Sequence, residues 1–92
     1  MRHGEYKIPG GKLVVVDLRV VGGRLCDVRL SGDFFLEPPE ALDAIDAALN
    51  GLPGDAEPAA LERAVRAGLG DAAAMYGLTV AGIVVVVQRA LA

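Results

Sequence analysis

The sequence predicts an α+β domain in which a small antiparallel β-sheet is followed by helices. In the first third of the chain, apolar and polar residues alternate with the period of β-strands. A turn-rich junction with two adjacent prolines follows, over residues 31–40. After this junction, apolar residues recur at spacings of three and four, which is typical of one face of a helix. Strands that precede helices along a chain predict a sheet covered on one side by a helical layer.

Size and charge narrow the class of protein. The chain has 92 residues and a net charge of -3, so we expect a single domain over residues 1–92 with a modest core. Its basic residues are scattered, which does not favour a nucleic-acid partner. The apolar run at 83–87 is too short to cross a bilayer, and the N-terminus lacks the apolar segment of a signal peptide. We therefore expect a cytoplasmic protein with no membrane partner.

The single cysteine and the single histidine exclude some kinds of site. Cys26 has no second cysteine with which to form an internal disulfide, which fits a reducing compartment. His3 lies in an N-terminal segment that we expect to be flexible, so it lacks partners for a metal site.

The first predicted element is a short strand over residues 5–8, ended by a turn at Pro9, Gly10 and Gly11. Two glycines beside Lys12 invite comparison with a phosphate-binding loop. Such a loop opens a helix and ends in Lys followed by Ser or Thr, whereas this one opens a strand and Lys12 is followed by Leu13. We interpret the segment as a tight turn.

A β-hairpin is predicted from residues 12–21 and 24–31. A two-residue turn at Gly22 and Gly23 would place the apolar faces of the two strands on opposite sides of the sheet. A three-residue loop over 21–23 aligns them, with Gly23 in the left-handed region beside a bulge. The predicted pairs are Leu18 with Cys26, Val16 with Val28, and Val14 with Leu30.

This register determines the predicted environment of Cys26. The thiol is expected on the buried face, where it acts as a small core residue rather than a reactive group. The opposite face is expected to be a solvated lattice of charged residues, namely Asp17, Arg19, Asp27 and Arg29.

The junction contains the two phenylalanines of the chain, Phe34 and Phe35. Because successive strand residues face opposite ways, one ring enters the core and the other points outward. We expect Phe34 to be the inward one, since it continues the even-numbered apolar face. Pro38 and Pro39 then end strand pairing and set the start of a helix.

Two amphipathic helices are predicted after the junction. The first, over residues 38–52, has a stripe formed by Leu42, Ile45, Leu49 and Leu52. Its carboxylates are expected to face away from the core as a solvated surface rather than a metal site, and they are Glu40, Asp43 and Asp46. Asn50 and Gly51 are expected to end it. The second helix is predicted over residues 58–69, with Gly68 and Gly70 at its end.

The last third of the chain gives weaker signals. Residues 72–78 are ambiguous, and one interpretation is a turn of helix stopped by Gly77. Residues 83–87 have strong strand propensity. In contrast, Thr79 is a good helix N-cap, and Ile83 and Val87 are spaced as on one helix face. Local rules leave strand and helix both open here.

The order of these segments resembles the C-terminal accessory domain of lipoate–protein ligases over nearly the whole chain. The residues that carry the resemblance are the Gly-Glu-Tyr-Lys-Ile-Pro-Gly-Gly-Lys-Leu segment at 4–13, the hairpin, the Ser-Gly-Asp-Phe-Phe segment at 31–35, the two helices, and Gly-Leu-Thr at 77–79. In that family a large catalytic domain adenylates lipoate with ATP and passes the lipoyl group to a lysine of a carrier domain. The accessory domain, fused or separate, supports formation of the adenylate without carrying the catalytic lysine.

The resemblance also implies a fold and a set of contact residues. It implies a small antiparallel sheet packed against two to three helices, similar to the sulfur-carrier scaffold proteins of iron–sulfur assembly. A final helix is then expected, because the family pattern leaves no free sheet edge for a terminal strand. The implied residues near the partner's adenylate are Lys7, Gly10, Gly11 and Lys12, and those of the interface are Asp33, Phe34 and Phe35.

The resemblance further implies that this chain has no catalytic or metal-binding residue of its own. ATP and lipoate would be bound by the catalytic partner, and lipoyl-acceptor domains would join the complex. Two alternatives from other classes remain: a sulfur-acceptor protein that uses Cys26, and a protein-interaction adaptor without a ligase partner.

Overall fold

The computed structural model describes residues 1–92 and has an α+β architecture, as predicted. Its elements in chain order are β1 (Arg2–Lys7), β2 (Leu13–Val21), β3 (Arg24–Gly32), β4 (Phe35–Glu37), α1 (Glu40–Leu49), α2 (Pro58–Leu69), β5 (Ala74–Tyr76) and α3 (Val80–Leu91). Strands β1, β2 and β3 form an antiparallel sheet with β2 in the centre. Strands β4 and β5 pair separately as a short antiparallel ribbon, called here the β4–β5 ribbon.

The N-terminal strand is longer than predicted. It begins at Arg2 rather than at residue 5, so His3 lies within a paired strand, opposite Asp17. The expectation of a flexible N-terminal segment was wrong, because residues 2–7 all pair with β2. Gly4 is buried at the point where β1 meets α3, and a Cβ there would lie 2.6 Å from the carbonyl oxygen of Val86.

The hairpin register differs from the predicted one. Val21 pairs with Arg24 and Val20 with Leu25, so the turn has two residues, Gly22 and Gly23. A bulge then shifts the register, and its extra residue is Asp27, which has φ 53°. Because of this left-handed residue, the side chains after it face the opposite side of the sheet from that given by strict alternation. Leu25 and Val28 are three residues apart, and both are therefore buried in the core.

The corrected register changes the environment of Cys26. The thiol lies opposite Arg19 rather than Leu18, on the face of β3 away from the buried Leu25 side chain. Cys26 is half-buried and is not part of the core, so the expectation that it is a core residue on the buried face was wrong.

Helix α1 is shorter than the predicted 38–52, because it begins at Glu40 after the two prolines and ends at Leu49 with Asn50 as its C-cap. Ala41, Ile45 and Leu49 are buried. Asp46 does not face away from the core as expected. It is half-buried, and its Oδ1 accepts a hydrogen bond from the backbone N–H of Leu30, at 3.1 Å.

Helix α2 has the predicted bounds and packs against α1 and α3. Gly68 is inside the helix and does not end it. A Cβ at this position would lie 2.7 Å from the carbonyl oxygen of Ala44, so the glycine allows the backbones of α1 and α2 to approach closely. Gly70, with φ 72°, is the residue that ends α2.

The terminal segment is a helix, as the resemblance implied. The Thr79 hydroxyl accepts a hydrogen bond from the N–H of Gly82 at 2.9 Å, which makes it the N-cap of α3. Helix α3 packs against β1 and β2 on one side and α2 on the other. Because it is covered from two sides, valines are favoured over polar residues on most of its surface.

Residues 74–76 form strand β5 and not a turn of helix, so that earlier interpretation was wrong. Pairing with β4 overrides the helical preference of alanine-rich residues. None of the helices combines the length and apolarity that a membrane span requires.

Candidate interaction site

Three chain segments meet at one end of the three-stranded sheet, called here the aromatic end: residues 9–13, 32–35 and 76–77. The N–H of Lys12 donates to the carbonyl of Gly77 at 2.9 Å. The N–H of Asp33 donates to the carbonyl of Leu13 at 3.1 Å. Phe35 pairs with Tyr76 across the β4–β5 ribbon. The two motifs predicted from the sequence are therefore adjacent in space, and Tyr76 and Gly77 join them.

The aromatic end exposes a pair of aromatic rings. Phe35 and Tyr76 are 58% and 57% exposed, and their ring centroids are 6.2 Å apart. Leu36, the next residue of β4, is buried, and Phe34 packs against the core. The expected sidedness of the two phenylalanines is confirmed. Contiguous exposed apolar surface of this kind marks interaction sites in soluble proteins.

Backbone N–H groups of the turn at residues 9–12 are hydrogen-bonded to carbonyls of the same chain. The N–H of Gly11 donates to the carbonyl of Ile8 at 2.8 Å, and the N–H of Lys12 is taken by Gly77. Gly10, at the tip of the turn, has φ 72°, a left-handed conformation that glycine adopts without steric cost. Because these N–H groups are used internally, the segment is a tight turn and not a cradle for phosphate, as interpreted from the sequence.

Lys7 and Lys12 have different environments although both flank this turn. The Lys7 ammonium donates to the carbonyl of Gly11 and, at 3.3 Å, to that of Ile8, so it holds the turn together. The Lys12 ammonium has no hydrogen-bond or ion-pair partner in the structure. Of the two cations, Lys12 is the one available to another molecule.

Gly77 positions the Lys12 side chain. It has φ 75°, and a Cβ at this position would overlap the Cγ of Lys12. The stem of Lys12 therefore lies across the backbone of Gly77, beside the β4–β5 ribbon. Lys12 is thus packed against the residue that follows Tyr76.

Asp33 is exposed, and its carboxylate also has no partner. It follows Gly32, whose φ is 146° and whose Cβ, if present, would overlap the carbonyl oxygen of Leu13. The close crossing of residues 32 and 13 fixes the backbone from which Asp33 projects. The aromatic end thus displays two rings together with one free cation and one free carboxylate.

Some charged groups elsewhere are paired, whereas others, such as Arg29 and Arg63, also lack a partner. The two ring nitrogens of His3 each lie 2.6 Å from a carboxylate oxygen, of Glu5 and of Asp17, and these contacts raise the pKa of His3. Arg19 and Asp27 form an ion pair at 3.1 Å. Burial raises the pKa of Asp46 to about 6. No cluster of histidine, cysteine, aspartate or glutamate side chains is arranged to hold a metal ion.

Sequence reasoning missed Tyr76, the contact between Gly77 and Lys12, and the half-buried position of Asp46. A three-residue strand is too short to show an alternating pattern, so Tyr76 gave no signal. Cys26, which was singled out, lies outside the aromatic end, and its sulfur takes part in no hydrogen bond.

No protein-family model matches the chain, and no curated protein matches it. Among solved structures, it is similar to a chain from an archaeal lipoylation system of Thermoplasma acidophilum, described as a bi-partite lipoate protein ligase and its E2 lipoyl domain. The TM-score is 0.70 at 20% sequence identity, and the match covers 94% of this chain and 90% of the other. The chain therefore has the fold of a component of that lipoylation system.

Proposed function

We propose that this chain is a non-catalytic accessory subunit or domain of a lipoate–protein ligase. In this role it supports the ATP-dependent formation of lipoyl-adenylate by a separate catalytic domain, which binds ATP and lipoate. The observation that carries the proposal is the similarity of fold over 94% of the chain to a component of a system that contains a bi-partite ligase. The sequence motifs at 4–13 and 31–35 point to the same family independently of the fold.

The aromatic end is the surface that fits this role. Its free Lys12 ammonium and exposed Phe35 ring are among the residues implied to lie at the adenylate and at the interface. Lys7, Gly10 and Gly11 act through the shape of the turn, since Lys7 and Gly11 are hydrogen-bonded within it and Gly10 has the left-handed φ of its tip. In the proposed complex, these residues position Lys12 and do not contact the nucleotide.

Reconstitution tests the proposed function. The purified chain is mixed with the ligase catalytic chain of the same organism, ATP and lipoate, and pyrophosphate release is measured. We expect the mixture to form lipoyl-adenylate at least tenfold faster than the catalytic chain alone. We expect no turnover by this chain alone. Equal rates with and without this chain, or turnover by this chain alone, would show that the proposal is wrong.

The same reactions distinguish an accessory chain from a lipoyl acceptor. If the chain were the acceptor, its mass would increase by one lipoyl group on Lys7 or Lys12, its two lysines. We expect an unchanged mass. The sulfur-acceptor alternative is tested by Cys26→Ser, which we expect to support adenylation as well as the wild type does.

A further inference from the structure

We propose that Phe35, Tyr76 and Lys12 form one docking site for the catalytic chain of the ligase. An apolar side chain of that chain packs against the two rings, and one of its carboxylates pairs with the Lys12 ammonium. This inference rests on the proposed function and adds to it the residues and the chemistry of the contact.

The exposed rings supply the apolar centre of the site. The other large apolar residues that the structure exposes, Met1 and Val21, lie outside the aromatic end. Phe35 and Tyr76 differ from them because they contact each other and form a continuous apolar surface. Aromatic side chains of this kind are enriched at the energetic centres of protein interfaces.

The backbone beneath the rings is held in place before any partner binds. Within the β4–β5 ribbon, Leu36 pairs with Met75 and is buried, while α1 packs against β4. On the other side, the hydrogen bond from Lys12 to Gly77 ties the ribbon to the turn. A preorganised surface loses less conformational entropy on binding, which favours association.

Lys12 supplies the charge at the edge of this apolar surface. The Cβ and Cγ of its side chain lie against the backbone of Gly77, the residue that follows Tyr76 in the chain. An unpaired cation next to an apolar centre is complementary to a partner surface that has a carboxylate next to an apolar side chain. Asp33 adds a free negative group to the same end, which repels a carboxylate and so favours its pairing with Lys12.

This assignment gives Lys12 a protein carboxylate as its partner and not the phosphates of the bound nucleotide. The turn itself offers no cradle of free backbone N–H groups for a phosphate. The N–H groups of Gly11 and Lys12 are instead bonded to Ile8 and Gly77.

Calorimetric titration with the catalytic chain, without ATP or lipoate, tests the site. We expect Phe35→Ala and Tyr76→Ala each to raise the Kd by about tenfold or more, as for central interface aromatics. We expect Lys12→Ala to raise it by about threefold to tenfold, with a smaller effect at high salt, as for an ion pair at the edge of an interface.

Two matched variants serve as controls. Val21→Ala removes an equally exposed apolar side chain at the far end of β2, and Arg63→Ala removes an exposed cation on α2. We expect both to leave the Kd within about twofold of the wild type, as for surface positions outside an interface. Far-UV circular dichroism and the melting temperature of every variant verify that it is folded.

Several results would overturn the docking site. Wild-type affinity of the Phe35 and Tyr76 variants would exclude the rings from the interface. An effect of Lys12→Ala that appears only with ATP and lipoate would assign Lys12 to the nucleotide. A homodimer that dissociates in the ring variants, with unchanged partner binding, would mean that a second copy covers the rings.

The titration also separates this proposal from the proposed function. If the wild-type chain stimulates adenylation but the ring variants bind normally, the docking site is wrong and the accessory role stands. If the wild-type chain neither binds the catalytic chain nor stimulates it, both are wrong.

Discussion

The two ends of the three-stranded sheet differ in how many of their groups are bonded within the chain. At the hairpin end, defined by Val21–Arg24 and the loop at 50–54, the chain hydrogen-bonds to its own strand edge. Leu25 exchanges hydrogen bonds with Leu52 and Gly51, both at 2.8 Å, and Arg24 donates to the Gly51 carbonyl. At the aromatic end, two rings and an unpaired ammonium face solvent. The loop covers part of the hairpin end, whereas the aromatic end keeps its rings exposed, which fits the docking site proposed above.

The largest expected effect compares one glycine from each end. Gly32→Ala at the aromatic end places a Cβ against the Leu13 carbonyl at φ 146°, so we expect a loss of about 3 kcal/mol in the free energy of unfolding. Gly22→Ala at the hairpin end meets no atom within 4 Å and carries only the cost of its left-handed φ, about 1 kcal/mol. Urea denaturation measures both, and equal losses would contradict the close crossing at Gly32.

The next effect separates the two phenylalanines. Phe34→Ala removes a partly buried ring packed on the core, and we expect it to lower the free energy of unfolding by about 2–3 kcal/mol. Phe35→Ala removes an exposed ring whose intramolecular partner is Tyr76, with an expected loss of about 0.5–1 kcal/mol. Thermal unfolding followed by circular dichroism compares the variants. A larger loss for Phe35 would place that ring in the core and not on a contact surface.

A smaller effect is expected from Asp46, whose carboxylate accepts the Leu30 N–H while Asn50 does the same for Val28 nearer the hairpin end. Burial raises the pKa of Asp46 from 3.8 to about 6. A raised folded pKa means that its contribution to stability is present below pH 3.8 and is lost as the pH rises through about 6. Asp46→Asn keeps the acceptor without the charge. We expect it to be more stable than the wild type at pH 7 by about 1 kcal/mol, after allowing for partial solvent screening.

Urea unfolding at pH 4 and pH 7 checks this expectation, since the stability difference should largely disappear at the lower pH. Asn50→Asp is the matched reverse change, and we expect it to lose stability as the pH rises. An Asp46→Asn variant that is less stable than the wild type at pH 7 would mean that the charge itself is needed.

The smallest expected effect is the pH dependence of the His3 contacts. His3 has two carboxylate partners, whereas Lys12 has none. Hydrogen bonds to Glu5 and then Asp17 raise its pKa above the ordinary 6.5. The stabilising interaction is present below pH 6.5 and is lost as the pH rises through the raised pKa. An NMR titration of the imidazole should show this shift, and Glu5→Gln should reduce it more than Asp17→Asn. An unshifted His3 pKa would mean that the carboxylate contacts do not persist in solution.

Helices were predictable where caps and spacing agreed. The bounds of α2 follow from Pro58 and the apolar spacing. For α3 the local rules left strand and helix both open, and the helix was expected from the resemblance; the structure confirms it, with Thr79 as the N-cap. Strand propensity failed there because α3 is covered by the sheet and by α2, so that valine burial outweighs its local preference.

The hairpin and the β4–β5 ribbon were less predictable, for physical reasons. Alternation in β3 was interpreted as unbroken, whereas Leu25 and Val28 face the same side because one residue, Asp27, has left-handed φ. The sequence does contain a signal for this bulge, namely an aspartate between two apolar residues whose spacing of three breaks the alternation. Aspartate tolerates left-handed φ better than most residues do. The pairing of Phe35 with Tyr76 is between distant residues, and nothing local specifies it.

The coverage of β3 by α1 has a consequence for synthesis of the chain. The N–H groups of Val28 and Leu30 are bonded by the side chains of Asn50 and Asp46, and Leu25 is bonded by residues 51 and 52. A ribosome releases β1, β2 and β3 before these later residues emerge. During that interval the nascent sheet has a free β3 edge on which a neighbouring nascent chain can add a strand. Once α1 and the loop after it have folded, Asp46, Asn50 and residues 51 and 52 occupy these β3 groups and leave fewer of them free for another strand.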